Sequence, residues 1–211
     1  MSSLATLLTL ADSRLPTGGH VHSGGVEEAV TSGLLVDLAT LRAFLVRRIR
    51  TSGVVAASIA VAVRTGALGP EAADAETDAR TPAPAAREAS RGQGRGLVRL
   101  ARRVWPQQSW DALGSRPHLP VAAGVVATAA DLDPGQTALS VVYTTMTGSA
   151  TAAQRLLALD PADVAALTFE LSGLCDAAAA EAVIGPAELS DPLLDVLAQR
   201  HTGRDRPLFV S

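Results

Sequence analysis

Apolar residues recur along most of the chain at the spacing that places them on one face of an α-helix. Near the start, Leu4, Leu7, Leu8 and Ala11 occupy positions i, i+3, i+4 and i+7. Helices are predicted over residues 2–11, 23–32, 38–50, 53–65, 87–105, 134–157, 161–182 and 191–200, with a short helix within 66–86 and an apolar run at 121–130. We therefore expect an all-α fold, a single compact bundle of about 8–10 helices spanning residues 1–211.

Residues that start or stop helices stand at several of these boundaries. Asp37, Asp133 and Asp160 are expected to be N-caps, and the last two are followed by proline at the first helical position. Gly33 is expected to end the second helix. Residues 66–86 mix acids, alanines and three prolines, which predicts that the short helix leads into a mobile connection.

The composition narrows the class of protein. Apolar residues form 47% of the 211 residues, enough to bury a sizeable core, and only 3% are aromatic, which disfavours sandwiches and barrels. The net charge of −3 excludes a general nucleic-acid coat, and the lone Cys175 excludes a disulfide framework. The longest apolar runs are about half the roughly 20 residues that a membrane span needs. With no basic start to a signal peptide, we expect a cytoplasmic protein without a nucleic-acid or membrane partner.

The last residues differ from the helical body. Residues 200–211 are mostly polar, Pro207 blocks helix continuation, and Leu208–Val210 supply the main apolar area. We expect this flexible tail to become ordered only with a partner. On that view, deleting residues 201–211 leaves the thermal stability nearly unchanged.

A histidine pair in the N-terminal turn invites a metal-site hypothesis. His20 and His22 are two residues apart, but zinc needs three or four protein ligands. The other candidate ligands of this type are His118, His201 and Cys175. We favour a turn in which Ser23 caps the next helix and His22 donates to a carbonyl. The alternatives are a metal-dependent hydrolase using His20, His22 and His118, or a four-imidazole site made by two copies of the pair.

Residue chemistry predicts neither a catalytic centre nor a cofactor site. Glu27 and Glu28 are adjacent, so on a helix they point about 100° apart and cannot share a proton. No phosphate-binding loop matches, and the chain contains no lysine to reach a phosphate. No serine, histidine and acid stand at a spacing that builds a triad.

Charge is distributed unevenly. Seven arginines lie between residues 78 and 103, and four of them repeat every fourth residue on one side of a helix. These four are Arg87, Arg91, Arg95 and Arg99. Gly92 and Gly96 would let another backbone approach the same helix, either at a protein interface or inside the core. Residues 156–199 carry eight acids and no base, which indicates an acidic docking face or simply solvated helices.

Four stretches resemble the UreF family of urease accessory proteins. The segment Leu8–Gly19, followed by His22-Ser23, Gly25 and Glu27, is similar to the family opening L-x-D-S-x-L-P-x-G-G-F-x-H-S-x-G-L-E. The other three are Arg87-Glu88-Ala89-Ser90 with Gln93-Gly94-Arg95, then Ala152-Ala153-Gln154-Arg155-Leu156, and the ending Arg200-His201, Arg206 and Leu208-Phe209-Val210-Ser211. The chain departs from the family pattern at His20, which replaces an aromatic residue, at Val26 and at Pro207.

The resemblance implies an all-helical homodimer without a catalytic site of its own. Proteins of this family bridge UreD, also called UreH, and the GTPase UreG, and they regulate GTP-dependent delivery of nickel to apo-urease. Nickel and GTP would be handled by the partner complex, with neither bound stably here. A generic helical dimerisation module is the remaining alternative. The candidate interface residues are His22, Ser23, Glu27, Arg87, Ser90, Arg95, Arg155, His201, Arg206, Leu208, Phe209 and Ser211.

Overall fold

The computed structural model describes residues 4–12, 15–16, 21–205 and 207–210. His20, Arg206 and Ser211 therefore lie outside the described residues. The helices are α1 (Leu4–Leu10), α2 (Val26–Thr31), α3 (Leu38–Arg48), α4 (Val54–Thr65), α5 (Pro70–Ala79), α6 (Pro84–Val104), α7 (Leu119–Ala129), α8 (Pro134–Leu157), α9 (Pro161–Glu170), α10 (Ser172–Ala182) and α11 (Pro192–His201). The described ranges contain no strand, and the predicted all-α fold is confirmed.

Helix α4 forms the centre of the fold. Eight of its residues are buried, and it packs against α7, α8 and α10. Small residues make the close packing possible: a Cβ on Gly124 of α7 would lie 2.5 Å from the carbonyl oxygen of Ala60 and 2.6 Å from Cβ of Val63. The two helix backbones therefore approach more closely than any larger residue at position 124 would permit.

Helices α3 and α4 are joined without a break. A π-helical turn, Ile49–Gly53, replaces the expected boundary between residues 50 and 53. The hydroxyl groups of Thr51 and Ser52 donate to the carbonyl oxygens of Arg47 and Arg48. Side-chain hydroxyls thus supply hydrogen bonds to two backbone acceptors beside the wider π-helical turn.

The helix predicted over residues 161–182 is instead two helices. Leu171 separates α9 from α10, and its backbone has φ −86° and ψ −1°. The hydroxyl of Ser172 donates to the carbonyl oxygen of Phe169, and Gly173 follows. A side chain that bonds the preceding turn, next to a glycine, weakens the helix at this point.

The connection after α5 is short and held in place. Only residues 80–83 separate α5 from α6, and the N–H of Ala83 donates to Asp195 on α11. Arg80 donates to the carbonyl oxygen of Ala187. The connection expected within 66–86 is therefore a tight link between α5, α6 and the C-terminal part of the chain.

The structure shows a close approach along α6 at Gly94, whereas an added Cβ at Gly92, one of the two positions that the sequence suggested, would meet only Nε2 of His22 at 4.0 Å. A Cβ at Gly94 would overlap the carbonyl oxygen of Pro117 and lie 2.9 Å from the carbonyl carbon of His118. Gly94 therefore lets α6 lie directly against the segment that leads into α7. Of the helices in the described part of the chain, none is both long and apolar enough to cross a membrane.

Candidate partner-binding site

A buried carboxylate, that of Glu27, joins the N-terminal motif to the C-terminal tail. Glu27 lies in the first turn of α2 and is 3% exposed. Its Oε2 accepts hydrogen bonds from Nε2 of His201 at 2.8 Å and from the N–H of Phe209 at 3.0 Å, and its Oε1 accepts from the N–H of Leu208 at 2.8 Å. We call Glu27, His201, Leu208 and Phe209 the tail clamp.

The donors around Glu27 keep its carboxyl group ionised. Burial alone would raise its pKa, but the hydrogen bonds from His201, Leu208 and Phe209 outweigh that effect, so the pKa lies below its ordinary value. The hydrogen bond to Glu27 also requires that Nε2 of His201 carries a proton, because only a protonated ring nitrogen can donate to a carboxylate. The clamp thus depends on a charged acceptor.

The turn before α2 places Glu27 where the tail can reach it. Gly24 and Gly25 both have positive φ, 63° and 88°, which L-residues with side chains rarely adopt. Gly25, and not Ser23, occupies the N-cap position of α2, but Ser23 Oγ accepts from the N–H of Glu27 in the first turn at 3.3 Å. A Cβ on Gly25 would be 3.4 Å from Cβ of Leu197, so α11 packs against this turn.

The clamped tail turns one side chain inward and two outward. Phe209 is 6% exposed, and the guanidinium of Arg155 lies 5.4 Å from the centre of its ring. Leu208 and Val210 are 80% and 70% exposed, and the N–H of Val210 donates to the carbonyl oxygen of Val21 at 2.7 Å. The backbone is therefore held while two apolar side chains face solvent.

The C-terminal tail is held by contacts within its own chain. Ordering of residues 200–211 on a partner stays a prediction, but the tail also has partners within its own chain. His201 belongs to α11 and is 3% exposed. Deleting residues 201–211 would remove three hydrogen bonds to Glu27 and the buried ring of Phe209, which argues against the expectation of nearly unchanged stability.

A second polar cluster binds α5, α6 and the start of α7 together. Oxygens of Asp74 and Asp78 and a ring nitrogen of His118 all lie within 4.8 Å of one another, an arrangement that could hold a metal ion. Arg91 already lies there: its guanidinium donates to Asp74 at 2.7 Å and to Asp78 at 2.8 Å. Ser90 Oγ accepts from the N–H of Leu119 at 3.1 Å, so Ser90 anchors the start of α7.

His118 is a structural residue within this cluster. It is fully buried, its backbone N–H donates to Asp74 at 2.8 Å, and its ring nitrogen Nε2 lies 2.9 Å from Asp78. Burial lowers the pKa of His118 despite the hydrogen bond to Asp78, which favours the neutral ring. Within the described residues, the group of three possible metal ligands includes neither His22 nor a second histidine, so the geometry gives no support to a hydrolase site.

The predicted arginine stripe divides into two parts. Arg91 is inside the cluster, and Arg87 donates to the carbonyl oxygen of Thr81 and lies 3.7 Å from Asp78. Arg95 and Arg99 are exposed. Of the candidate interface residues on α6, Arg95 is therefore the one that faces solvent freely, while Arg87 and Ser90 also hold neighbouring elements.

A cleft of about 280 Å³ brings several candidate residues together. Its walls include His22 and Ser23 from the N-terminal motif, Arg155 from α8 and Phe209 from the tail. They also include Arg48, which the sequence reasoning missed because nothing in its spacing distinguishes it from the neighbouring Arg47. Candidate residues that are distant in sequence thus share one surface.

Comparison with known proteins identifies the family. The profile of the UreF family matches residues 35–172. The chain is 76% identical over its full length to the urease accessory protein UreF of Mycolicibacterium vanbaalenii, and 75% identical to that of Mycobacterium sp. strain JLS. It is 67% identical to that of Mycobacterium tuberculosis, and each match covers the whole of both chains. The prediction of an accessory protein without enzymatic activity is confirmed by this kinship. The chain belongs to the UreF family of urease accessory proteins.

Proposed function

We propose that this chain bridges UreD and the GTPase UreG, and that the assembled complex regulates GTP-dependent delivery of nickel to apo-urease. Nickel is cargo in this proposal, and both GTP and its hydrolysis belong to UreG. The chain acts by binding one state of the GTPase more tightly than the other, which is how a protein without catalytic groups can control a reaction.

The tail clamp is the observation that best supports this proposal. Glu27 fixes the backbone of Leu208 and Phe209, while the side chains of Leu208 and Val210 are left 80% and 70% exposed. Because the backbone is already held, it loses little conformational freedom when a partner covers these exposed apolar side chains. We assign this surface to UreD.

Exposed charged residues on three helices are candidates for binding the second partner. Arg95 and Arg99 are exposed on α6, whereas the exposed acids Asp163, Asp176 and Glu181 lie on α9 and α10. Exposed charges of either sign on these helices suit the binding of a partner of complementary charge, and we assign that partner to UreG.

Reconstitution with purified proteins tests the bridge. Immobilised UreD is expected to retain UreG only when this chain is added, and apo-urease supplied with nickel and GTP is expected to gain activity only with all three accessory proteins. Equal retention of UreG by UreD without this chain would contradict the proposal.

A further inference from the structure

Arg48, at the end of α3, is a cation in the wall of the cleft. Its Nη1 donates to the carbonyl oxygen of Gly24, but its Nε is buried and has no hydrogen-bond partner. No carboxylate of the described residues lies within salt-bridge distance of its guanidinium. A buried charge in this condition costs stability unless something else compensates it.

The neighbouring arginine, Arg47, has its charge compensated by a carboxylate. Arg47 donates through Nε to both oxygens of Asp191 at 2.8 Å, and Asp191 is itself buried. Asp191 stabilises the charged form of Arg48 only from a distance. Burial is the larger effect and lowers the pKa of Arg48 to about 10, so its guanidinium remains protonated at neutral pH.

The cleft beside Arg48 has room and suitable chemistry for a ligand. Its volume is about 280 Å³, far more than the roughly 10–15 Å³ that a cavity needs, on the same measure, to hold one water molecule. Among the described lining residues the fixed charges are Arg48, Arg155 and Asp12, which gives an excess of positive charge. The Ser23 hydroxyl and the Gln93 amide line the same space.

We propose that this cleft binds a small oxyanion of the carboxylate or phosphate class, with its oxygens accepting hydrogen bonds from the guanidinium of Arg48. The planar guanidinium matches such oxyanions, and the anion would supply the counter-charge that no carboxylate of the described residues provides within salt-bridge distance. Gly24 belongs to the site, because a Cβ there would lie 2.6 Å from Nη2 of Arg48. Binding of the anion does not require the bridging role proposed above, although the cleft shares residues with the candidate interface.

Calorimetric titration of the full chain with sodium phosphate, and separately with sodium malonate, tests the site at constant ionic strength. Saturable binding to one site is expected for the wild type. Arg48→Met is expected to weaken it at least about tenfold, since it removes charge-assisted hydrogen bonds. Arg95→Met, which removes an exposed arginine of α6, is the control and should bind as the wild type does. Equal binding to Arg48→Met, or no saturable binding to the wild type at millimolar anion, would overturn the proposal.

A second measurement decides the question if Arg48→Met does not fold. The Nε–H resonance of Arg48, assigned by its loss in Arg48→Lys, can be followed by NMR in the wild-type chain during the phosphate titration. A shift that saturates together with the calorimetric signal supports the site. An Nε–H resonance that does not move would overturn the proposal.

Discussion

At the scale of single residues, Glu27 and Glu28 show how position decides the role of identical side chains. Glu27 is 3% exposed and accepts from His201 and from two backbone N–H groups of the tail. Glu28 forms an ion pair with Arg204 at 3.2 Å. Because adjacent residues of a helix point in different directions, Glu27 contacts the C-terminal tail, whereas Glu28 lies at the edge of that contact.

Replacing Glu27 by Gln tests the energetic importance of the clamp. The neutral amide cannot accept from all three donors as a carboxylate does, so the free energy of unfolding should fall by about 2–3 kcal/mol. Glu28→Gln, the matched control, removes one ion pair, that with Arg204, and should cost less than Glu27→Gln. Urea unfolding followed by circular dichroism measures both, and equal losses in the two variants would show that Glu27 has no special role.

The acid dependence of stability follows from the lowered pKa of Glu27. Because the pKa is below its ordinary value of 4.5 in the folded state, the carboxylate stabilises the fold fully above about pH 4.5. That contribution is lost as the pH falls through the folded-state pKa. The difference in unfolding free energy between wild type and Glu27→Gln should therefore shrink below about pH 4.5. A difference that grows toward acid pH would contradict the assignment.

At the scale of helices, the boundaries that a side chain marks directly could be predicted. Asp37 and Asp133 each accept from the N–H three residues later and form capping boxes with Thr40 and Gln136. Gly33 follows α2 with φ 72°. Such local signals are contained in a few adjacent residues. The π-turn at Ile49–Gly53 has no such signal and was not predicted.

The candidate site was predictable only in part, for a related reason. The resemblance pointed to Glu27, His201 and Phe209, which the structure brings together. The resemblance could not show that Glu27 binds the other two residues of its own chain, His201 and Phe209, instead of a partner protein. Arg91 looked like a surface residue of a basic stripe, but its partners, Asp74 and Asp78, come from α5. Pairings between helices depend on packing that sequence periodicity does not specify.

The crossing of α4 and α7 gives a prediction at this scale. Gly124→Ala places a Cβ against the carbonyl oxygen of Ala60 and the side chain of Val63, so it should lower the free energy of unfolding by about 1–3 kcal/mol. Gly148→Ala is the control: it is in α8, where an added Cβ meets nothing within 4 Å. It should raise stability by about 0.5–1 kcal/mol through helix propensity. Thermal unfolding of both variants decides this, and a stabilising Gly124→Ala would refute the close crossing.

At the scale of the whole molecule, we expect the chain to form a homodimer. Large apolar side chains remain exposed on a single chain, including Phe169 at 80% and Ile184 at 87%. Exposed apolar surface of this kind favours association. Light scattering coupled to gel filtration, at tens of micromolar protein, should give twice the mass of one chain. A single-chain mass under these conditions, also in the presence of UreD, would contradict the expectation.

We propose that the N-terminal motif and the C-terminal tail form one docking surface for UreD. Glu27 holds the tail backbone, Phe209 packs inward, and Leu208 is presented to solvent. A substitution at Leu208 should therefore affect the partner contact and leave the clamp intact, because the clamp uses only the backbone N–H of that residue.

The most direct test is the affinity of immobilised UreD for the wild type, for Leu208→Ser and for Leu34→Ser. Leu34 is 53% exposed in the link between α2 and α3, so it controls for the loss of an exposed leucine elsewhere. Leu208→Ser should bind UreD about tenfold more weakly or worse, since a buried leucine contributes that much affinity, while its thermal stability stays as in the wild type. Leu34→Ser should bind as the wild type does. Equal affinity of all three proteins for UreD would contradict the claim that the clamped tail is the docking surface.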